Sequence, residues 1–148
     1  MKTKRLLIAI IIVSAFSSVL FSINAFAGED NFPYSFTMKA NQSSNYSSDS
    51  YERTTIYTNN PWKVNMTFNG EGTGTIATYW IASKIIHTQY SDKHNVAQGS
   101  GAHYYFAYSE ASGEYVRLGV QNNNNTTNSY TVSGYWDEEI GRQISNEG

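Results

Sequence analysis

From Trp62 to Phe68 the chain puts an apolar residue at every second position, Trp62, Val64, Met66 and Phe68, with Lys63, Asn65 and Thr67 between them. Successive side chains of a β-strand point to opposite faces, so this run reads as one face in a core and one in solvent, and it cannot line a helix. The same period recurs along the chain. Tyr34, Phe36 and Met38 alternate with Ser35, Thr37 and Lys39. Tyr104, Phe106 and Tyr108 alternate with His103, Tyr105 and Ala107, and Val116, Leu118 and Val120 form the inward set of a strand over 115–121. Strands are also predicted over 51–57, 75–82, 95–98 and 130–136, the second of these with Ile76 and Trp80 inward and Tyr79 on the other side. Asn69-Gly70 with Gly72 and Gly74, Gly99-Ser100-Gly101 and Ser112-Gly113 supply turns between them. The polar stretches 41–50 and 122–128 read as loops, the first mobile, and the acidic end from Asp137 reads as frayed. Seven to eight short strands at turn spacing, without an amphipathic helix, predict an all-β fold. An antiparallel β-sandwich is the natural form and a barrel the second choice.

The core of such a fold has to be aromatic. After residue 27, Leu, Ile, Val and Phe make up only about a seventh of the chain, which by itself would point to disorder. All 12 Tyr and all 3 Trp lie in that part, and each buries a large area.

The N-terminus imposes a second constraint. Lys2, Lys4 and Arg5 precede an apolar run from Leu6 to Phe16, and Ala25-Phe26-Ala27 follows. A basic start, an apolar stretch of roughly ten residues and an A-x-A site make a secretory signal peptide, with Ala25 and Ala27 as the signal peptidase site. An uncleaved anchor is the rival reading, but Ser17, Ser18 and Ser22 interrupt the run. Residues 1–27 are thus expected to be removed and 28–148 to form a single domain, large enough for one core. Losing Lys2, Lys4 and Arg5 from the 10 Lys and Arg leaves seven against 12 acids, a charge near −5. The remaining cations are scattered, so neither nucleic acid nor stable membrane insertion is expected. With no cysteine, the exported domain must be held by packing and β-ladders alone, a profile that fits a bacterial secreted protein.

Catalytic and cofactor patterns fail on their context. Gly72-x-Gly74-x-x-Ala77 has the spacing of a dinucleotide loop, but β-patterned sequence follows where a helix is needed. His87, His94 and His103 show no ligand spacing, and no G-x-S-x-G elbow occurs. Asp137-Glu138-Glu139 are adjacent, so they cannot flank a glycosidic bond from both sides, and they read as a solvated tail. No catalytic residue, metal or cofactor is expected. Binding has better support. The strand pattern places Tyr79, Tyr105, Tyr115 and Tyr135 opposite the core, with His103 and Arg117 beside them. Exposed phenols on a sheet can stack on sugars or form a protein interface, or they can simply pair across strands.

The landmarks YSFTMKANQ from Tyr34, NNPWKVNMTF from Asn59, GEGTGTIATYWIA from Gly70, QGSGAHYYFAYS from Gln98, LGVQNNNN from Leu118 and YTVSGYWDEE from Tyr130 run in this order behind the leader. In this the chain resembles the DUF2712 family of small secreted proteins from Bacillus-type bacteria. The resemblance covers nearly all of 28–148, matching least at Lys84 to Gln89, and implies export and a shared fold without any catalytic residue. A likeness to lactococcin-type bacteriocins holds only at the level of class. The expected function is a secreted, non-enzymatic β-sandwich that binds cell-wall polysaccharide or a cell-surface protein through a tyrosine face. A bacteriocin-like antagonist or its accessory is the alternative, and a small hydrolase a third.

Overall fold

The computed structural model of the chain describes residues 29–144. The leader, with Ala25 and Ala27, lies outside the described residues. Nine strands follow in order: β1 (Phe32–Thr37), β2 (Asn45–Tyr46), β3 (Tyr51–Glu52), β4 (Trp62–Asn69), β5 (Ile76–Ser83), β6 (His94–Ala97), β7 (His103–Tyr105), β8 (Tyr115–Asn122) and β9 (Thr131–Asp137). One sheet has the order β1-β9-β4-β7; the other runs β2-β8-β5-β6, with β3 also on β8. Every pairing is antiparallel. The two sheets face each other as a β-sandwich, and no barrel closes. Among the described residues no helix is long and apolar enough to cross a membrane.

Alternation fixes most of the inner faces. Trp62, Val64 and Met66 are fully buried on β4, and Val116, Leu118 and Val120 on β8. Tyr34, Phe36, Val132 and Trp136 from β1 and β9 lie beside the β4 set in the same sheet and face the β8 set across the core. The Tyr34 and Tyr79 hydroxyls, 3.0 Å apart, join the sheets through the core. Burial pushes both phenols well above their ordinary range. Gly134 makes room for this pair: a Cβ there would strike Asn65 O and crowd the Tyr34 hydroxyl.

Two strands depart from the alternation. On β4 the register with β9 shifts between Met66 and Phe68, and such a bulge turns the following side chains over. Phe68, expected inside, is therefore 49% exposed, while Asn69 is buried. On β5 the expected faces are reversed: Ala77, Tyr79 and Ile81 point into the core, and Ile76 is exposed at the strand's start. Trp80 lies on the outer face yet is also buried. Its ring lies over Gly119, where a Cβ would collide with it, and it is covered by Tyr46, edge-on at 5.9 Å, and by Lys93, whose Nζ is 4.4 Å from the ring centre. A strand covered on both faces gives no alternation to read.

Candidate functional site

The six residues expected to form a binding face do not share one. Tyr79 is fully buried in the core, because β5 faces the opposite way from its pattern. His103 and Tyr105 lie on the inner side of the short edge strand β7, paired with Val64 and Trp62. There Tyr105 stacks on His94 at 3.7 Å and packs against Trp62 at 5.3 Å. The alternation read over 103–108 belongs to a strand that ends at Tyr105, so it did not govern the faces. Tyr115 and Arg117 stand on the outer face of the β8 sheet, with Lys84 Nζ 5.2 Å from the Tyr115 ring. Tyr135, 45% exposed, stands on the outer face of the other sheet. The two most exposed of these tyrosines thus look away from each other across the sandwich.

His103 has one neighbour of catalytic type, Ser100, with Oγ and Nε2 2.7 Å apart. Ser100 Oγ donates its single proton to Ala97 O at 2.7 Å. The imidazole must then donate to the hydroxyl, the reverse of what an activated serine needs.

The acidic end is buried and ordered, where a frayed tail was expected. Asp137, Glu138 and Glu139 are 0%, 8% and 1% exposed. Glu139 Oε1 accepts from Thr54 N–H at 3.0 Å and from the Thr54 hydroxyl at 2.6 Å, and its Oε2 accepts from Thr55 N–H at 2.9 Å. Lys63 Nζ lies 3.7 Å from Asp137 Oδ2. The buried Arg53 guanidinium donates to Glu138 O and, at 2.9 Å, to Asn60 O. Burial pushes Asp137 up to about 7 and Glu138 up to about 8, so at neutral pH Glu138 is mostly protonated and Asp137 partly so. This cluster ties the chain's end to residues 53–61, where Ile140 N–H donates to Pro61 O and Ile144 N–H to Asn59 O, each at 2.9 Å. The partners stand about 85 residues upstream, out of reach of any local pattern.

A cleft opens at the other lateral edge of the sandwich from β7, between β1 and residues 46–51. Its volume is about 290 Å³, at the small end of ligand sites, which run to roughly 300–1,000 Å³. Four successive residues, Pro33 to Phe36, line one wall, so the cleft runs along the free edge of β1, where half the backbone groups have no strand partner. Ser47, Ser48, Asp49 and Tyr51 form the other wall. That wall belongs to the stretch predicted as a mobile loop, and it is pinned. Ser47 N–H donates to Leu118 O at 2.9 Å, its Oγ accepts from Leu118 N–H at 3.1 Å, and the same hydroxyl donates to Asp49 O at 2.7 Å. Tyr51 stacks on Phe32 with ring centres 3.6 Å apart and meets Trp136 edge-on at 5.7 Å. Burial, then the negative charges of Asp49, Glu138 and Asp30, push its hydroxyl up. The cleft thus offers serine hydroxyls, one carboxylate and aromatic edges over a fixed floor. Density of short hydroxyl side chains beside Tyr46 and Tyr51 was its only sequence signal. Among the described residues no three His, Cys, Asp or Glu side chains converge on a metal site.

With this geometry in place, comparison with known proteins settles the lineage. The family model described as "Protein of unknown function (DUF2712)" matches residues 22–140. The chain belongs to the DUF2712 family. Residues 22–140 take in every strand of the sandwich, both walls of the DUF2712 cleft and the buried acids. No curated protein and no solved structure matches the chain.

Proposed function

We propose that this DUF2712 protein is an exported, non-catalytic domain that holds a hydroxyl-rich polysaccharide of the cell wall or cell surface in the cleft between β1 and residues 46–51. The observation that carries the reading is the composition of that cleft: Ser47, Ser48 and Asp49 on one wall and Ser35 on the β1 edge opposite, with the rings of Tyr51 and Trp136 between them. Hydroxyls and a carboxylate exchange hydrogen bonds with sugar hydroxyls, unpaired backbone groups add donors and acceptors, and aromatic edges receive the apolar face of a ring. The small volume suits one ring at a time of an open-ended chain. Asp49 is the single acid among the lining residues, whereas glycoside hydrolysis needs two carboxyl groups flanking the bond. The basic, apolar, A-x-A leader supports export.

Retention of the purified protein on insoluble cell-wall material tests the reading, with Ser48→Trp filling the cleft from an exposed position. Lost retention with unchanged thermal melting is expected for Ser48→Trp, and full retention for the pair Tyr115→Ala with Tyr135→Ala. The opposite pattern would return binding to the outer faces and refute the cleft.

A further inference from the structure

Resting on the cleft reading above, we infer that the saccharide held there carries ammonium groups, as a glucosamine-type sugar does, and that Asp49 selects it over N-acetylated and acidic sugars. Among the described residues Asp49 is the only charged one lining the cleft, where no Lys, Arg or His takes part. Its side chain is exposed and accepts from no donor among the described residues, and it is the backbone carbonyl of Asp49 that accepts from Ser47. Two buried cations of the domain are committed elsewhere, Arg53 to the carbonyls of Glu138 and Asn60, and Lys63 to Asp137, while Arg117, beside this segment on β8, stands on the outer face and is not among the lining residues. With no cation among the described lining residues, the charge at the cleft is that of Asp49, and after burial the Tyr51 phenol is pushed up by Asp49 and Asp30.

An ammonium group placed between Asp49 and the Ser47 and Ser48 hydroxyls has three donors for an acceptor set that includes a full negative charge. An acetamide in that position offers one donor and no charge. A uronic acid is repelled by Asp49, with no cation in the wall to offset it. Because the carboxylate is open to solvent, the preference is modest, about three- to fivefold at low salt, and it fades as the Debye length shortens.

The test is titration calorimetry of the purified protein with three probes of equal length: glucosamine, N-acetylglucosamine and galacturonic acid oligosaccharides, in mildly acidic, low-salt buffer that protonates the amines. The glucosamine oligomer is expected to bind about three- to fivefold more tightly than the N-acetylated one, and the galacturonate least. Asp49→Asn, exposed and without a side-chain partner among the described residues, should melt like the parent and erase the difference, as should high salt. If the N-acetylated oligomer binds as tightly as the glucosamine one, and Ser48→Trp abolishes both, the ammonium preference is overturned while the cleft reading stands. If none of the three binds, both fall.

Discussion

Replacing Glu139 with glutamine changes little in shape and much in bonding. The carboxylate is 1% exposed and receives three hydrogen bonds, from Thr54 N–H, the Thr54 hydroxyl and Thr55 N–H. A glutamine carbonyl can keep the partners on one oxygen, but its amide hydrogens then face the N–H on the other side, leaving one buried donor opposed by another. Bonds to a charged acceptor contribute about 1.5–3 kcal/mol each. Arg53 loses one of its balancing charges as well, and breaking a buried charge arrangement typically costs about 3–5 kcal/mol. Taking about 3–5 kcal/mol for the whole change, and about 4 °C per kcal/mol for a domain of this size, melting should fall by roughly 12–20 °C at pH 7. Circular dichroism near 218 nm, or calorimetry, reads this directly. Glu138→Gln is the contrast, because a glutamine needs no proton to be buried and should melt at or above the parent at pH 7. A Glu139→Gln melting point within about 3 °C of the parent would show that the buried acids do not anchor the chain's end.

Other expectations follow from the same packing. Asp137 and Glu138 bind protons more tightly folded, at about 7 and about 8, than unfolded at 3.8 and 4.5. The native state then holds the extra protons between about pH 4 and about pH 8, so stability should fall by a few kcal/mol as pH rises through that window, and be level outside it. Glu138→Gln should flatten the upper part of that profile in pH-dependent melting; an unchanged slope would assign it to other groups. Trp62→Ala should cost about 3–5 kcal/mol in denaturant unfolding and Thr67→Ala, on the exposed side of β4, under about 0.5 kcal/mol. Gly119→Ala should displace the Trp80 ring and cost about 1–3 kcal/mol, visible as a change in tryptophan emission; unaltered emission and melting would mean that Trp80 does not rest on the glycine.

What could be read from the residues was whatever a strand with one wet face imposes. β4 as far as Met66, and β8 and β9, show it, and from them come the all-β class and the sandwich. β5 was misread because both its faces are covered, one by the opposing sheet and one by Tyr46 and Lys93, so Tyr79 and Trp80 are equally buried and equally mute. Phe68 was misread because a bulge leaves no local mark in the sequence. The acids at 137–139 looked solvated because Arg53, Thr54 and Lys63, which make their burial tolerable, lie on distant strands and loops. The cleft failed to show for a similar reason. Its serines look like linker until Leu118 is known to pin them.

The first strand of this domain pairs with its last: Phe32 lies opposite Trp136 and Thr37 opposite Thr131. β4 also leans on β9 along most of its length. A ribosome therefore has to deliver nearly all of the chain before β1 finds its neighbour, and a loop of about a hundred residues closes in that single step. Until then this sheet has only the short β4–β7 ladder, and β1 has no strand to join. Under the export proposed above, this order of synthesis would act as a safeguard, because the strand that locks the fold would be the last to cross.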